Sequence, residues 1–165
     1  MVIYRATLAD TEAIWQIFQK IIAGRDKFPF PPDTPKEFCD EYFLSTDTLS
    51  FVAKENDRIL GCYKIIPNQC GLCSHVANAT YMVDPDIQGK GIGKAMVKHS
   101  FEEASKAGYE AMQFNLVVST NEAPIHLYQK LGFKIIGTIP KAFEHLQLKR
   151  KVDVHIMHRF LGDIN

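Results

Sequence analysis

The 165-residue sequence lacks an excess of charge of either sign. Nineteen lysine and arginine residues face nineteen aspartate and glutamate residues, so the formal net charge at pH 7 is zero. A chain without net charge exerts no long-range field that would attract nucleic acid or an anionic membrane. We therefore expect neither as a partner, and any polyanion that the protein binds must be held by local geometry.

Long apolar runs are also missing. No stretch approaches the roughly 20 apolar residues that a membrane-spanning helix requires, and the first ten residues, MVIYRATLAD, contain no apolar run preceded by positive charge. This pattern predicts no secretory signal and favours a cytoplasmic location. With 46% hydrophobic residues, the composition suits one compact domain spanning residues 1–165.

Cysteine is scarce, with four in the whole sequence. Cys70 and Cys73, followed by His75, have the spacing of half a zinc site. The sequence offers no second CxxC or HxxxH pair that would complete four ligands. We therefore predict ordinary loop and strand cysteines and no metal site.

Hydrophobic periodicity and turn residues predict seven strands and four helices in the order β-α-α-β-β-β-α-β-α-β-β. The strands are expected at 2–7, 49–55, 59–66, 75–83, 111–118, 133–139 and 152–160. One helix is expected from Asp10 to Gly24, a second at 35–44, a third ending near Ala107 and a fourth from Asn121 to Leu131. The third helix is expected to bury Met96, Val97, Ser100, Phe101, Ala104 and Ala107. This order is typical of an α/β (α+β) domain with helices on the faces of a mixed sheet.

Three glycines fall within five positions, at 89, 91 and 93, where apolar residues resume helical spacing. Glycine inside a helix costs about 1 kcal/mol relative to alanine, so the stretch needs a compensating role. Backbone amides at a helix N-terminus have no intrahelical partners and carry partial positive charge. Without side chains, such a backbone can approach a phosphate closely. Lysines add positive charge nearby: Lys90, Lys94 and Lys98. The stretch thus predicts a phosphate or pyrophosphate site, and the alternative is a turn that serves only tight strand-to-helix packing.

Two segments together resemble a known family. Residues 83–93, VDPDIQGKGIG, resemble the acetyl-CoA-binding signature of the GCN5-related N-acetyltransferases, Gln/Arg-x-x-Gly-x-Gly/Ala after a strand ending in Val-x-Pro. Residues 121–133, NEAPIHLYQKLGF, resemble that family's Asn-x-x-Ala-x-x-Leu-Tyr-x-Lys-x-Gly-Phe segment. Pro124 replaces the usual alanine, which the first turn of a helix tolerates. The resemblance covers nearly the whole chain and implies a mostly antiparallel sheet of about seven strands with helices on both faces.

The resemblance also implies the cofactor and its contacts. Acetyl-CoA would bind with its pyrophosphate on the glycine stretch and its pantetheine arm in a gap between the strands before and after the third helix. The residues that the resemblance assigns to coenzyme A are Met82, Val83, Gln88, Gly89, Lys90, Gly91, Ile92, Gly93, Lys94, Asn121 and Tyr128.

Tyr128 matches the family position of the general acid. A phenol with a reference pKa near 10 is protonated at neutral pH and can donate to a thiolate whose conjugate acid has a pKa near 8.5. The alternative is a core aromatic residue whose hydroxyl still needs a partner.

The general base is not evident from the sequence. Many family members have a glutamate on the strand before the glycine stretch, but SHVANATYMV contains no carboxylate. His75 could act as base or form a structural hydrogen bond in the strand, and His126 is expected on an exposed helix face. A base-poor site favours an amine with a pKa near 8, because an alkylamine near 10.4 requires roughly 4.6 kcal/mol to deprotonate at pH 7.

Asn78 is a candidate catalytic residue that would position the substrate. Residues 73–79 resemble the equivalent stretch of the yeast acetyltransferase that acts on proline analogues, and residues 114–115 with Asn121 extend that likeness. Those amines are strongly basic, which conflicts with the preference for a weaker base. Family analogy places Phe30, Asn78 and Asn115 at the substrate, with the proline-rich segment 28–35 and the charged loop 141–151 forming its mouth.

These observations favour an N-acetyltransferase that moves an acetyl group to the amine of a small molecule, an amino acid or a related amine, by direct attack in a ternary complex. Two alternatives use the same fold: a non-catalytic acyl-CoA-binding sensor and a protein N-acetyltransferase. A nucleotide-binding module fits less well, because the glycine stretch lacks the Gly-Lys-Ser/Thr ending of a Walker loop. Dimers are frequent in the family, so the resemblance adds a homodimer as an expectation.

Overall fold

The computed structural model describes residues 1–87 and 89–162. Its strands are β1 (Val2–Arg5), β2 (Leu49–Glu55), β3 (Arg58–Pro67), β4 (Val76–Val83), β5 (Ala111–Val118), β6 (Lys134–His145) and β7 (Arg150–Phe160). Its α-helices are α1 (Thr11–Ala23), α2 (Lys36–Leu44), α3 (Ile92–Lys106) and α4 (Glu122–Lys130). Within these residues the predicted number and order of elements are confirmed.

The strands form one sheet in the order β1-β2-β3-β4-β5-β7-β6. Neighbouring strands are antiparallel except β4 and β5, which are parallel. β4 and β5 pair only at Val76 with Ala111 and at Ala77 with Met112. Beyond these two pairs the strands separate, so the sheet opens at its middle towards the carboxyl ends of both strands.

Alternating side chains of the central strands pack on opposite faces of the sheet. On β2, Phe51 lies in a cluster with residues of α3 and α4, whereas Val52 lies in a second cluster with residues of α1 and α2. The same alternation separates Tyr63 from Cys62 on β3, as the two-residue period of a strand requires. The prediction of helices on both faces is therefore confirmed. No helix in the described part of the chain is long and apolar enough to cross a bilayer.

Helix α3 lies close against β3. A Cβ at Gly61 would lie 2.6 Å from the carbonyl oxygen of Met82 and 2.9 Å from the Cε of Met96, so only glycine permits this approach. The predicted buried face of α3 is confirmed except at Ala107, which is exposed because it caps the helix after Lys106.

The last two strands are longer than predicted. β6 continues to His145 and β7 begins at Arg150, so most of the expected charged loop at 141–151 is strand. A register shift between Ile139 and Phe143 interrupts the β6–β7 ladder, and pairing resumes beyond it. Charged residues can occupy these strands because β6 is the edge of the sheet and alternate positions face solvent.

A buried carboxylate fixes the chain just before the glycine stretch. Asp84 is 3% exposed. Its carboxylate forms ion pairs with the Lys20 ammonium of α1 at 3.0 Å and with the Arg58 guanidinium of β3 at 2.6 Å. Its Oδ1 also accepts the backbone N–H of Asp86 at 3.2 Å. These contacts hold the segment after β4 against two other elements and so set the position where α3 begins.

Candidate active site

A cavity of about 710 Å³ occupies the opening between β4 and β5. The glycine stretch and the start of α3 form one wall, α4 a second and the segment after α1 a third. Asn78 and Val83 both line it, five residues apart on β4, which corresponds to roughly 16 Å at the usual strand rise. The cavity can therefore hold an extended ligand.

The start of α3 has the features of an anion site. Gly91 caps the helix with φ +77°, and Gly89 has φ +86°, left-handed conformations that glycine adopts without strain. The first helical hydrogen bond runs from the Ala95 amide to the Gly91 carbonyl oxygen. The amides of residues 92–94 therefore have no intrahelical acceptor, and no side chain caps them. Several N–H groups and the positive end of the helix dipole are available to a ligand.

Lysine side chains increase the positive charge at this wall. Lys90 and Lys94 are exposed and line the cavity, whereas Lys98 is exposed but lies outside its lining. A Cβ at Gly91 would meet nothing within 4 Å, so the space in front of the helix is open. The residues present thus fit a phosphate or pyrophosphate group.

Tyr128 of α4 lines the cavity beside residues of β4 and β5. Its ring packs against Phe114 of β5 with centroids 4.6 Å apart and lies 6.3 Å from the ring of Tyr81. The hydroxyl makes no hydrogen bond with any described residue, whereas the Tyr81 hydroxyl bonds Ser100 at 2.6 Å. Burial raises the pKa of Tyr128 above its ordinary value, so its phenol stays protonated and can act as a donor.

Side-chain amides line the opposite end of the cavity. Asn78 lies near the start of β4, and Asn115 lies on β5 at the bulge between Phe114 and Val117. Both donate a hydrogen bond to Asn68, at 3.1 Å and 2.6 Å respectively. Strand pairing alone does not bring these two residues together, since the β4–β5 ladder ends at Ala77.

The proline-rich segment closes part of the mouth. Phe28, Pro29 and Phe30 line the cavity, and the segment has no regular structure, as predicted. Phe30 is anchored by rings of α1 and α2, with centroids 5.6 Å from Phe18 and 5.1 Å from Tyr42. The predicted charged loop does not line the cavity; its turn instead reaches the end of α1, where Gln147 Nε2 donates to the Gly24 carbonyl oxygen.

The cavity collects nearly all of the predicted site residues. Those lining it are Phe30, Asn78, Val83, Gly89, Lys90, Gly91, Ile92, Gly93, Lys94, Asn115, Asn121 and Tyr128. The Met82 side chain is 1% exposed and packs with α1 and α2 on the other side of the sheet, and Met82 is not among the described residues that line the cavity. Gln88 lies outside the described residues.

The two candidate histidines, His75 and His126, do not line the cavity. His126 is exposed, as predicted. His75 is exposed too, and its carbonyl oxygen accepts the Glu110 amide at 2.9 Å. The structure instead brings in residues that sequence reasoning missed: the Tyr42 hydroxyl bonds Thr80 Oγ1 at 3.2 Å, and both residues line the cavity. Their pairing depends on how α2 packs on β4, which no local pattern reveals.

Comparison with known proteins identifies relatives of this architecture. A family model described as "Acetyltransferase (GNAT) family" matches residues 12–133. The structure of a GCN5-related N-acetyltransferase from Kribbella flavida superposes with a TM-score of 0.91 at 33% identity, covering 96% of each chain.

Curated relatives match over shorter stretches. N-acetyltransferase aca1 of Schizosaccharomyces pombe is 37% identical over 84 residues, which is 51% of this chain and 40% of aca1. L-amino acid N-acyltransferase MnaT of Escherichia coli is 34% identical over 67 residues, which is 41% of this chain and 38% of MnaT. The matched segments thus span less than half of these relatives.

Proposed function

Because the chain belongs to the acetyltransferase (GNAT) family, we propose that it moves an acetyl group from acetyl-CoA to the amine of a small molecule, an amino acid or a related amine. Residues 1–165 act as one catalytic domain, and the amine attacks directly in a ternary complex. The observation that carries the proposal is one cavity lined by the exposed amide end of α3, by the side-chain amides of Asn78 and Asn115 and by Tyr128.

The anion-binding end holds the diphosphate of acetyl-CoA. Free amides at residues 92–94, together with Gly89 and Gly91, provide N–H donors that no side chain obstructs. Lys90 and Lys94 add charge at the same wall. The unpaired edges of β4 near Met82 and Val83 and of β5 offer backbone groups to the pantetheine arm. Asn121, just before α4, lines the cavity as well.

When bound, acetyl-CoA supplies a thioester whose carbonyl carbon accepts the amine nitrogen while the C–S bond breaks. Tyr128 would donate its phenolic proton to the departing sulfur, and the new amide nitrogen would lose one proton to water, which returns a proton to the Tyr128 phenolate. Burial keeps the Tyr128 proton in place until that step. Asn78 holds the amine through its side-chain amide, with Asn115 and Phe30 at the same end.

An amino acid acceptor is supported by the relative named L-amino acid N-acyltransferase MnaT. The cavity itself adds that its acceptor end is amide-rich, and no carboxylate of the described residues other than Asp26 lines it. Amide groups recognise both amine and carboxylate by neutral hydrogen bonds. A zwitterionic small molecule fits this end better than a polycation does.

The test is a screen of thiol release from acetyl-CoA with amino acids, proline analogues, polyamines and a peptide with a free N-terminal alanine. Turnover with an amino acid or a proline analogue supports the proposal. Turnover with the peptide alone would make the protein an N-terminal acetyltransferase. Binding of acetyl-CoA without transfer to any acceptor would make it a sensor and overturn the catalytic proposal.

A further inference from the structure

We propose that Asn68 is a positioning residue that fixes the orientation of Asn78 and Asn115 at the acceptor end of the cavity. The inference rests on the proposed function only for the nature of the ligand, because its evidence is the hydrogen-bond geometry of the protein itself.

Asn68 joins two strands that do not pair with each other at this level. Its Oδ1 accepts the Nδ2 of Asn78 on β4 at 3.1 Å and the Nδ2 of Asn115 on β5 at 2.6 Å. The Oδ1 of Asn115 in turn accepts the Nε2 of Gln113 at 2.8 Å. Four side-chain amides thus form a continuous chain across the place where the sheet opens.

The direction of these hydrogen bonds determines whether Asn78 offers a donor or an acceptor to a ligand in the cavity. In a side-chain amide the oxygen only accepts and the nitrogen only donates. Because Asn78 donates to Asn68, its own Oδ1 is left without a partner among the described residues. Rotating the Asn78 amide by half a turn would place two carbonyl oxygens against each other. While Asn68 directs its Oδ1 at both neighbours, Asn78 presents an acceptor to the cavity, the group that an amine N–H requires.

Asn68 acts through its neighbours and not on the ligand. Asn78 and Asn115 line the cavity, whereas Asn68 is not among the described residues that do so. Its backbone N–H donates to the Val76 carbonyl oxygen at 2.8 Å, so its position is set by the sheet and not by the exposed turn that follows. A rigid backbone anchor is what a positioning residue requires.

Three variants separate positioning from general damage. Asn68→Ala removes the shared acceptor, Asn68→Asp keeps an acceptor oxygen for both amides, and Gln69→Ala alters the exposed neighbour in the same loop. Loss of one orienting hydrogen bond corresponds to about a tenfold change. We expect Asn68→Ala to raise the KM for the acceptor about tenfold with the KM for acetyl-CoA unchanged, Asn68→Asp to restore most of this loss, and Gln69→Ala to match the wild type.

A second measurement does not need an identified acceptor. The side-chain NH2 resonances of Asn78 and Asn115, assigned through Asn78→Asp and Asn115→Asp, should shift in Asn68→Ala and stay in place in Gln69→Ala. Unchanged resonances, or equal rises in the KM of both substrates, would overturn the inference. If the wild type acetylates no amine, the proposed function fails, and the resonances still decide the role of Asn68.

Discussion

The ring of Tyr128 lies 4.6 Å from the ring of Phe114, centroid to centroid, while its hydroxyl has no hydrogen-bond partner among the described residues. Tyr128 is half-buried, and a tyrosine hydroxyl in such a position normally finds a partner. Because Tyr128 lines the cavity, the hydroxyl is available to a ligand, and the packing of the ring fixes where that hydroxyl lies.

Tyr128→Phe removes the proton donor and keeps the ring. General acid catalysis contributes about 10²–10⁴-fold, so kcat should fall by about two orders of magnitude while the dissociation constant of acetyl-CoA changes little. Steady-state kinetics and calorimetry measure the two quantities. Tyr109→Phe is the control, because Tyr109 packs against the same core outside the cavity lining. An unaffected kcat in Tyr128→Phe would remove the residue from the acid role.

The pH profile gives an independent check of the same assignment. Burial raises the pKa of Tyr128 above the ordinary tyrosine value of about 10, so the phenol remains protonated throughout the neutral and mildly basic range. Activity should therefore not decline between pH 7 and about pH 10 through loss of this proton. A basic limb in that range that disappears in Tyr128→Phe would contradict the assignment.

Gly91→Asp should abolish the stabilisation that acetyl-CoA confers. Ligand at 100 times its dissociation constant adds about 2.7 kcal/mol to the free energy of unfolding, which thermal melts detect. An aspartate at this position would place a carboxylate beside the first amides of α3, where its negative charge would repel the diphosphate. Gly91→Ala is the matched control, because it carries the same cost of a left-handed φ, about 1–2 kcal/mol, without the charge. A full ligand-induced shift in Gly91→Asp would exclude this helix end from the site.

Asp84→Asn tests the ion-pair network before the glycine stretch. Burial alone would raise the pKa of Asp84, but hydrogen bonds from Arg58 and Lys20 outweigh it, so its pKa lies below the ordinary value. The stabilisation is therefore present above the unfolded pKa near 3.9 and is lost as the pH falls through the folded pKa.

At pH 7 we expect Asp84→Asn to lower the free energy of unfolding by about 1–3 kcal/mol, with the difference from wild type shrinking below about pH 4. Asp86→Asn is the control, because its exposed pair with Lys20 should contribute only about 0–1 kcal/mol. Urea unfolding across pH measures both, and equal effects of the two substitutions would contradict the network.

Replacement of Lys64 is expected to raise the stability of the protein at pH 7, whereas Asp84→Asn is expected to lower it. It is 4% exposed, donates to the Tyr42 carbonyl oxygen at 2.8 Å, and burial lowers its pKa to about 8. Between about pH 8 and 10.5 the unfolded chain holds a proton that the folded chain has released, so stability rises with pH in this window.

An apolar replacement of similar length, Lys64→Met, should be more stable than wild type at pH 7 by about 1–3 kcal/mol. The gap should narrow as the pH rises from 8 to 10.5. Lys54→Met is the control, because a hydrogen bond with Asp57 raises the pKa of Lys54. The difference in free energy of unfolding between Lys54→Met and wild type should therefore change little over the same pH range. A Lys64→Met gap that does not vary with pH would contradict the prediction.

Local patterns predicted the fold because its elements follow local rules. Alternation on β2 and β3 and the glycine at position 91 depend only on neighbouring residues, and the structure confirms the elements that they predict. The predicted end of β6 and the predicted start of β7 were wrong. Strand pairing resumes beyond a register shift after Ile139, and this depends on the partner strand and not on the local sequence.

The acceptor end of the site could be predicted only in part. Asn78 and Asn115 were identified by resemblance, but the hydrogen bonds that orient them come from Asn68. Its role depends on how the end of β3, the start of β4 and the bulge of β5 meet in space. The bond between Tyr42 and Thr80 likewise requires a helix and a strand far apart in sequence. Neither relationship has a local signature.

The two residue pairs between β4 and β5 divide the sheet into two halves with a narrow junction. Main-chain groups on the facing edges beyond Ala77 and Met112 are left for water or for whatever fills the space. An occupant that hydrogen-bonds to both edges would complete the missing part of the ladder, so the contacts that retain it would also strengthen the domain at its weakest line.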